Sequence, residues 1–344
     1  MSARDPVADL RRIAFLLERA LEPPYRVRAF RTAAARAESV PGDELLDRAL
    51  AETLRELPGI GEATARCITE SLAGVVPAYL QRLEASVEPL ADSGAQLRAA
   101  LRGDCHTHSD WSDGGSPIRE MAETARDLGH EYIVLTDHSP RLTVARGLTA
   151  ARLERQLDEV AALNDDLVPF RILTGIEVDI LDDGRLDQKP DLLARLDLVV
   201  ASVHSGLRMP SDEMTPRMVA AIANPHTDVL GHCTGRLVKG GRGTRPESQF
   251  DAEIVFAACE RFGVAVEVNS RPERLDPPRR LLRLAVETGC LVSIDTDAHA
   301  PGQLDWQPYG CARAEQCEVP VETIVNTWTA DQLLAWTADH GVRP

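Results

Sequence analysis

Six short segments, nearly all placed just after an apolar run, hold six of the chain's nine histidines, with the carboxylates of Asp113, Glu177 and Asp297 beside them. The first runs from Gly103 through His106, His108 and Asp113. The others are Asp137-His138, Ile176-Glu177, Val203-His204, Gly231-His232 and Asp297-Ala298-His299. The apolar runs Tyr132–Thr136, Arg171–Gly175, Leu196–Ser202, Val229–Gly231, Val264–Val268 and Leu291–Ile294 read as strands. Helical stretches such as Ile118–Leu128, Ala151–Leu163 and Pro278–Thr288 lie between them. Strands alternating with helices predict a parallel α/β fold closed as a barrel. Such barrels carry their chemistry at the C-terminal ends of the strands, where these segments fall.

Spacing sharpens the reading. His106 and His108 are two apart, so on a strand both imidazoles face one way while Cys105 faces the other, as a small buried apolar group. Asp297 and His299 repeat the spacing, and Gly114 lets the loop that carries Asp113 turn sharply. A lone histidine at a strand end is an ordinary core residue. Six together with Asp113, Glu177 and Asp297 point to a multinuclear divalent-metal site. Asp104, Asp137 and Asp295 are expected to orient neighbouring ligands. Mixed imidazole and carboxylate donors admit zinc, manganese and iron alike.

Residues 1–78 read differently. Residues 8–21 form an amphipathic stripe (Leu10, Ile13, Ala14, Leu17, Leu21) ended by Pro23-Pro24. Tyr25–Ala37 carries Arg26, Arg28, Arg31 and Arg36 without an acid: either a solvated helical face or a phosphate-contacting edge. A helix over Asp43–Leu57, the turn Pro58-Gly59-Ile60-Gly61 and a helix from Glu62 to about Leu72 make a helix-hairpin-helix arrangement. Gly59 and Gly61 would let the turn approach a phosphate, with the following helix offering its N–H groups. Residues 79–100 read as a helical linker and 101–344 as the barrel. Residues 1–100 hold 13 arginines and 15 acids, so −14 of the −16 net charge lies beyond them. A body that acidic is a poor generic partner for nucleic acid, which leaves any DNA contact to a local basic patch. Seven cysteines without a Cys-x-x-Cys spacing fit reduced thiols. No long apolar run suits a membrane span, and Met1–Glu22 lacks the apolar core of a signal peptide; the expected location is the cytoplasm.

Taken in order, these segments resemble the PHP family, the polymerase and histidinol phosphatase domain, over about residues 101–336. The resemblance implies a distorted seven-stranded β/α (TIM-like) barrel with a trinuclear cluster. His106, His108, Glu177 and Asp297 would hold one metal, and Asp113, His138 and His299 a second. Glu177, His204 and His232 would hold the third, with Glu177 bridging. Asn224–Arg236 and Asn326-Thr327-Trp328 are most similar to the C-terminal PHP domain of bacterial family X DNA polymerases, although Cys233 stands where proline is expected. The N-terminal helix-hairpin-helix is similar to theirs as well. The polymerase palm has no room between the two parts, so the chain is not a polymerase.

What this implies is a phosphoesterase acting by metal-hydroxide attack. The expected substrate is DNA, the reaction that of a 3′–5′ exonuclease or a repair-associated 3′-phosphatase. The alternative is a small-molecule phosphatase of the histidinol-phosphatase type. Arg236 and Arg208 are the expected phosphate clamps and His226 a general acid or supporting residue. Arg271 reads as a surface ion pair. Arg26, Arg28 and Arg31 with Gly59 and Gly61 are the expected DNA contacts.

Overall fold

The apolar runs of the second half of the chain form seven parallel strands, hydrogen-bonded in the order in which they occur. The computed structural model describes residues 4–241 and 243–340. The chain divides into two units, Met1–Pro89 and Leu90–Pro344.

The first unit consists of α1 (Pro6–Arg19), α2 (Pro24–Ser39), α3 (Gly42–Leu50), α4 (Glu62–Leu72) and α5 (Ala78–Ala85). The Asp5 carboxylate caps α1 by accepting from the Val7 N–H at 2.8 Å. Leu10, Ile13, Ala14 and Leu17 are wholly buried, a stripe that packs on α2, α4 and α5. The helix expected over Asp43–Leu57 stops at Leu50 instead. Glu52 takes a left-handed φ of 58°, and the Thr53 N–H turns back to the Arg48 carbonyl at 2.9 Å, a Schellman-type stop. The 3-10 turn Leu54–Glu56 that follows drives Leu54 into the core. Within the span read as a linker, α5 packs on α1 while α6 (Ala95–Ala100) belongs to the second unit.

The second unit alternates β1 (Gly103–Thr107), α7 (Ile118–Asp127), β2 (Tyr132–Leu135), α8 (Ala150–Leu167), β3 (Arg171–Asp179), α9 (Pro190–Leu193) and β4 (Leu198–Ser202). It continues with α10 (Ser211–Ile222), β5 (Val229–Leu230), α11 (Ala252–Phe262), β6 (Ala265–Asn269), α12 (Arg279–Thr288) and β7 (Val292–Asp295), then α13 (Gln307–Gln316) and α14 (Ala330–His340). Strand side chains alternate between two apolar layers. Ile133, Leu135 and Ile172 pack on α7 and α8. Cys105, Tyr132, Val134, Leu173, Val200 and Val229 face the other way and pack with Val325, Leu333 and Trp336 of the C-terminal segment. All seven cysteines are free.

Two irregularities distort the barrel. β3 is longer than Arg171–Gly175: its first half pairs with β2 and its second half with β4. Gly175 sits where it changes partner, and a Cβ there would come within 2.7 Å of Val134 Cγ1 and 2.8 Å of the Leu198 carbonyl oxygen. The second irregularity is the seam between β1 and β7. At its upper end Thr107 bridges Ala298, and the His108 N–H donates to the Ala298 carbonyl at 2.8 Å. At its lower end side-chain amides replace the ladder. Asn326 Nδ2 donates to the carbonyls of Gly103 (3.2 Å) and Ile294 (3.1 Å), while its Oδ1 accepts from the Ile294 N–H at 2.7 Å. Gln307 Nε2 donates to the same two carbonyls.

Candidate metal centre

All nine singled-out imidazoles and carboxylates meet at the C-terminal ends of the strands. A register shift between Asp104 and Thr107 in β1 re-aims the strand where His106 stands. Asp113 hangs from a loop whose turn needs Gly114, since a Cβ there would lie 2.6 Å from the Ser109 carbonyl. His138 bridges Glu177 across the end of β2. His232 and Asp297 hold positive φ values of 21° and 53°, unusual for residues with side chains.

Glu177 is the hub. Its carboxylate lies 2.8 Å from His138 Nδ1, 2.9 Å from His232 Nε2, 3.2 Å from His204 Nε2, 3.3 Å from His106 Nε2 and 3.6 Å from His108 Nε2. Yet neither Glu177 oxygen makes a hydrogen bond, nor do His106 Nε2, His138 Nδ1 or either nitrogen of His108. Apart from that of His108, the distances are short enough for hydrogen bonds, but the directions are wrong. Leaving one buried polar atom unpaired costs about 1–3 kcal/mol, so this many in one place mark a pocket for cations. Donor atoms within 4.8 Å of one another fall into three overlapping sets: His108, Asp113, His138 and His299; His106, His108 and Asp297; and His138, Glu177 and His204. Imidazole and carboxylate oxygen are the donors that zinc and manganese accept.

Charge in the cluster follows from its crowding. Burial works against ionising Glu177, but His204, His106 and His138 hold its carboxyl well below the usual range. Burial lowers His108 to about 3, with His299 and His138 adding repulsion. Burial, with Arg274 behind it, lowers His232 to about 4. These two rings are neutral at pH 7 and their lone pairs are open. His204 goes the other way: burial opposes its charge, yet Glu177 and Asp179 raise it to about 9.

Several supporting residues escaped the reading of motifs. Glu267 Oε1 lies 2.7 Å from His106 Nδ1, which orients that ring so that Nε2 faces the cluster, and Oε2 accepts from the His232 N–H. Asp179 accepts from the His204 N–H at 3.1 Å and lies 3.5 Å from its Nδ1. Arg274 Nε stands 3.2 Å from Asp297 Oδ2. Signals existed for two of these. Glu267 interrupts the apolar run Ala265–Val268, and Asp179 lies one strand period beyond Glu177. Asp104, Asp137 and Asp295 staple loops rather than ligand rings. Asp104 accepts from Thr296 Oγ1 at 2.5 Å, Asp137 from Ser109 Oγ and Gln156 Nε2, and Asp295 from the Cys105 N–H and Asn326 Nδ2.

The expected polar helpers need correction. His226 lies on the turn before β5, at the N-terminal rim of the barrel and away from the cluster, so it is no general acid there. Arg236 has Nε on the Arg274 carbonyl and Nη2 on that of Leu275, which ties it to the loop wall. Arg208 is exposed and makes no hydrogen bond or ion pair among the described residues. Arg271, read as a surface ion pair, does pair with Glu273 at 3.0 Å but beside the cluster. Its Nη1 donates to the Asp297 carbonyl at 3.0 Å and lies 3.3 Å from His299 Nδ1.

In the first unit, Arg26 is taken up by Glu22 and Tyr79, and Arg31 by both oxygens of Glu18, at 2.6 and 2.7 Å. Neither is an open phosphate contact. Arg28 is exposed and makes no ion pair among the described residues, and Arg55 and Arg66 are exposed on either side of the turn. Gly59, with φ +88°, packs so tightly on α2 that a Cβ would meet Thr32 Cγ2 at 2.6 Å. Gly61 has nothing within 4 Å of a Cβ, so it is the open face of the turn.

The profile of the PHP domain matches residues 104–271, and that of the helix-hairpin-helix domain residues 1–74. Bacillus subtilis (strain 168) DNA polymerase/3′-5′ exonuclease PolX is 38% identical over 253 residues, 73% of this chain. The match spans 44% of that protein's length, so this chain corresponds to less than half of it. A "Probable phosphatase" of Thermoanaerobacter sp. (strain X514) is 30% identical over 207 residues, 57% of this chain and 78% of that protein. A solved histidinol phosphate phosphatase from Lactococcus lactis subsp. lactis Il1403, complexed with zinc, L-histidinol and phosphate, is 17% identical with a TM-score of 0.43. It covers 63% of this chain and 92% of that one.

Proposed function

We propose, from the premise that the chain belongs to the PHP domain family and is a metal-dependent phosphoesterase, that it acts on DNA 3′ ends. The reaction is that of a 3′–5′ exonuclease or a 3′-phosphatase. The observation that supports the metal chemistry is the carboxylate of Glu177, faced by five imidazole nitrogens and hydrogen-bonded to none. Three divalent ions, zinc or manganese with iron admissible, fit the donor set His106, His108, Asp113, His138, Glu177, His204, His232, Asp297 and His299. When bound, they supply a nucleophilic water at neutral pH and offset the charge of the phosphate. The protein's part is orientation: Glu267 holds His106, Asp179 holds His204 and Arg274 holds Asp297. Arg271, whose guanidinium lies beside His299 and over the Trp306 ring, is the cation best situated to meet a phosphate oxygen.

DNA is supported by the helix-hairpin-helix unit, with open Gly61 and exposed Arg28, Arg55 and Arg66, and by the Bacillus relative named as a 3′-5′ exonuclease. A small-molecule phosphatase is the second reading. In its favour, all nine cluster residues lie in the second unit, and the Thermoanaerobacter relative is named a phosphatase. One experiment separates them. The manganese-loaded protein is assayed on 3′-labelled single-stranded and gapped DNA and on p-nitrophenyl phosphate. His106→Ala/His108→Ala and a chain lacking residues 1–89 are run beside it. Release from DNA that vanishes in the double variant and weakens in the shortened chain is the expected result. DNA left intact, with p-nitrophenyl phosphate cleaved equally by both lengths, establishes the second reading.

A further inference from the structure

A cleft of about 670 Å³ is walled by the loop between β5 and α11 and by the first turns of α10, α11 and α12. Arg236, Arg245 and Arg280 line it with a single carboxylate, Glu247. Its apolar wall includes Val238, Phe250 and Leu281. Three guanidinium groups against one carboxylate make a local positive site in a body that is otherwise strongly acidic. Because that loop and the starts of those helices follow the C-terminal ends of strands, the cleft opens on the same rim as the cluster. The two are joined by one residue: Arg236 is bonded to the Arg274 carbonyl, and the Arg274 side chain reaches Asp297.

Glu247 shows what the cleft accepts. Its Oε1 lies 3.6 Å from Arg236 Nη1, and its Oε2 is bonded to Arg280 Nη2. An oxyanion already sits between two guanidiniums, in the geometry these groups offer a phosphate. Arg280 is largely exposed, with 65% of its side chain open, so it can turn to a ligand without disturbing the core. A small monoester has a single phosphate to offer, so one bound at the cluster has none left for this site. A strand with one phosphate per nucleotide fills both.

We propose that the cleft is a second anion site that holds a phosphodiester upstream of the scissile ester of a single DNA strand, with Glu247 as the internal anion the strand displaces. This rests on the reading of the protein as acting on DNA ends. Arg280 grips the phosphate together with Arg236 Nη1, the nitrogen that the loop bonds of Arg236 leave over, and the Phe250 side of the cleft faces the sugar and base.

The test is steady-state kinetics of the full, manganese-loaded chain on a 3′-labelled oligothymidylate and on p-nitrophenyl phosphate. Arg280→Ala is expected to raise KM for the oligothymidylate by at least about tenfold more than for p-nitrophenyl phosphate, and to flatten its dependence on salt. Glu247→Gln removes the competing anion and is expected to move KM for the oligothymidylate the opposite way. Thermal melting of both variants checks that each is folded. Equal shifts on the two substrates, or a Glu247→Gln change in the same direction as Arg280→Ala, overturn the proposal while DNA cleavage stands. A parent chain that cleaves p-nitrophenyl phosphate and leaves oligothymidylate intact removes the DNA reading itself, and the proposal with it.

Discussion

Arg31 and Glu177 are both shielded charges, one in each unit, with opposite surroundings. Arg31 in the helical unit meets both oxygens of Glu18, and nearby Asp9 is likewise answered by Arg4 and Ser71. Glu177 in the barrel is crowded by rings, none of which points a hydrogen at it. The helical unit's charged core is complete as folded. The barrel's is complete only with a cation among its donors. Charge pairing that closes on itself belongs to the fold, and charge pairing that stays open belongs to the chemistry.

The comparison can be broken or sharpened in steps. Glu177→Gln keeps volume and removes the hub's charge. We expect a loss of at least about 4 kcal/mol of transition-state stabilisation, roughly a thousandfold in phosphate release. Metal analysis should show ions lost with it; full metal content at the parent rate would deny Glu177 its central place. Glu267→Gln releases the His106 ring, and a drop of about 10–100-fold in metal affinity by manganese titration is expected. An unchanged affinity would reduce Glu267 to a packing residue.

On the other side, Arg31→Ala strands Glu18 and should destabilise the helical unit by about 1.5–3 kcal/mol in denaturant. Phosphate release from p-nitrophenyl phosphate should keep its parent value. Acidity supplies a subtler test. His204, held up to about 9 by Glu177 and Asp179 against the cost of burial, carries a proton at pH 7–8 and must lose it to ligate. Manganese binding should release protons and strengthen by up to about tenfold per pH unit, levelling off above about pH 9. Calorimetry in buffers of different ionisation heat reads this directly, and proton uptake would contradict it. The smallest effect is expected at Arg28, where alanine should leave stability alone and lower the salt slope of DNA binding by about one.

The nine cluster residues were legible because each stands in a short polar interruption at or near a strand end, and strand period fixed which side chains share a face. The barrel was legible for the same reason. What supports the cluster was harder to see. Glu267 acts through a ring 161 residues away, and Arg274 through an ion pair with Asp297 on a different loop. Nothing local distinguishes Arg31, partnered 13 residues back, or Arg26, partnered by Tyr79 across 53 residues, from Arg28, which has no ion-pair partner among the described residues. The stop of α3 at Leu50 was hidden because Glu52 carries the left-handed turn that glycine usually marks. His226 shares a segment with His232, and only the position of β5 between them puts the two on opposite rims.

The seam between β1 and β7 has a consequence for the order of events in synthesis. Asn326, whose amide ties the two strands together, follows Gly103 by 223 residues. His106 and His108 emerge from the ribosome early, whereas Asp297, His299 and the clasp that fixes them arrive after all seven strands have been made. Until then the nascent barrel is an open trough whose early imidazoles have no opposite wall. The two donor sets that need Asp297 or His299 are thereby completed last, after the set of His138, Glu177 and His204 has been made.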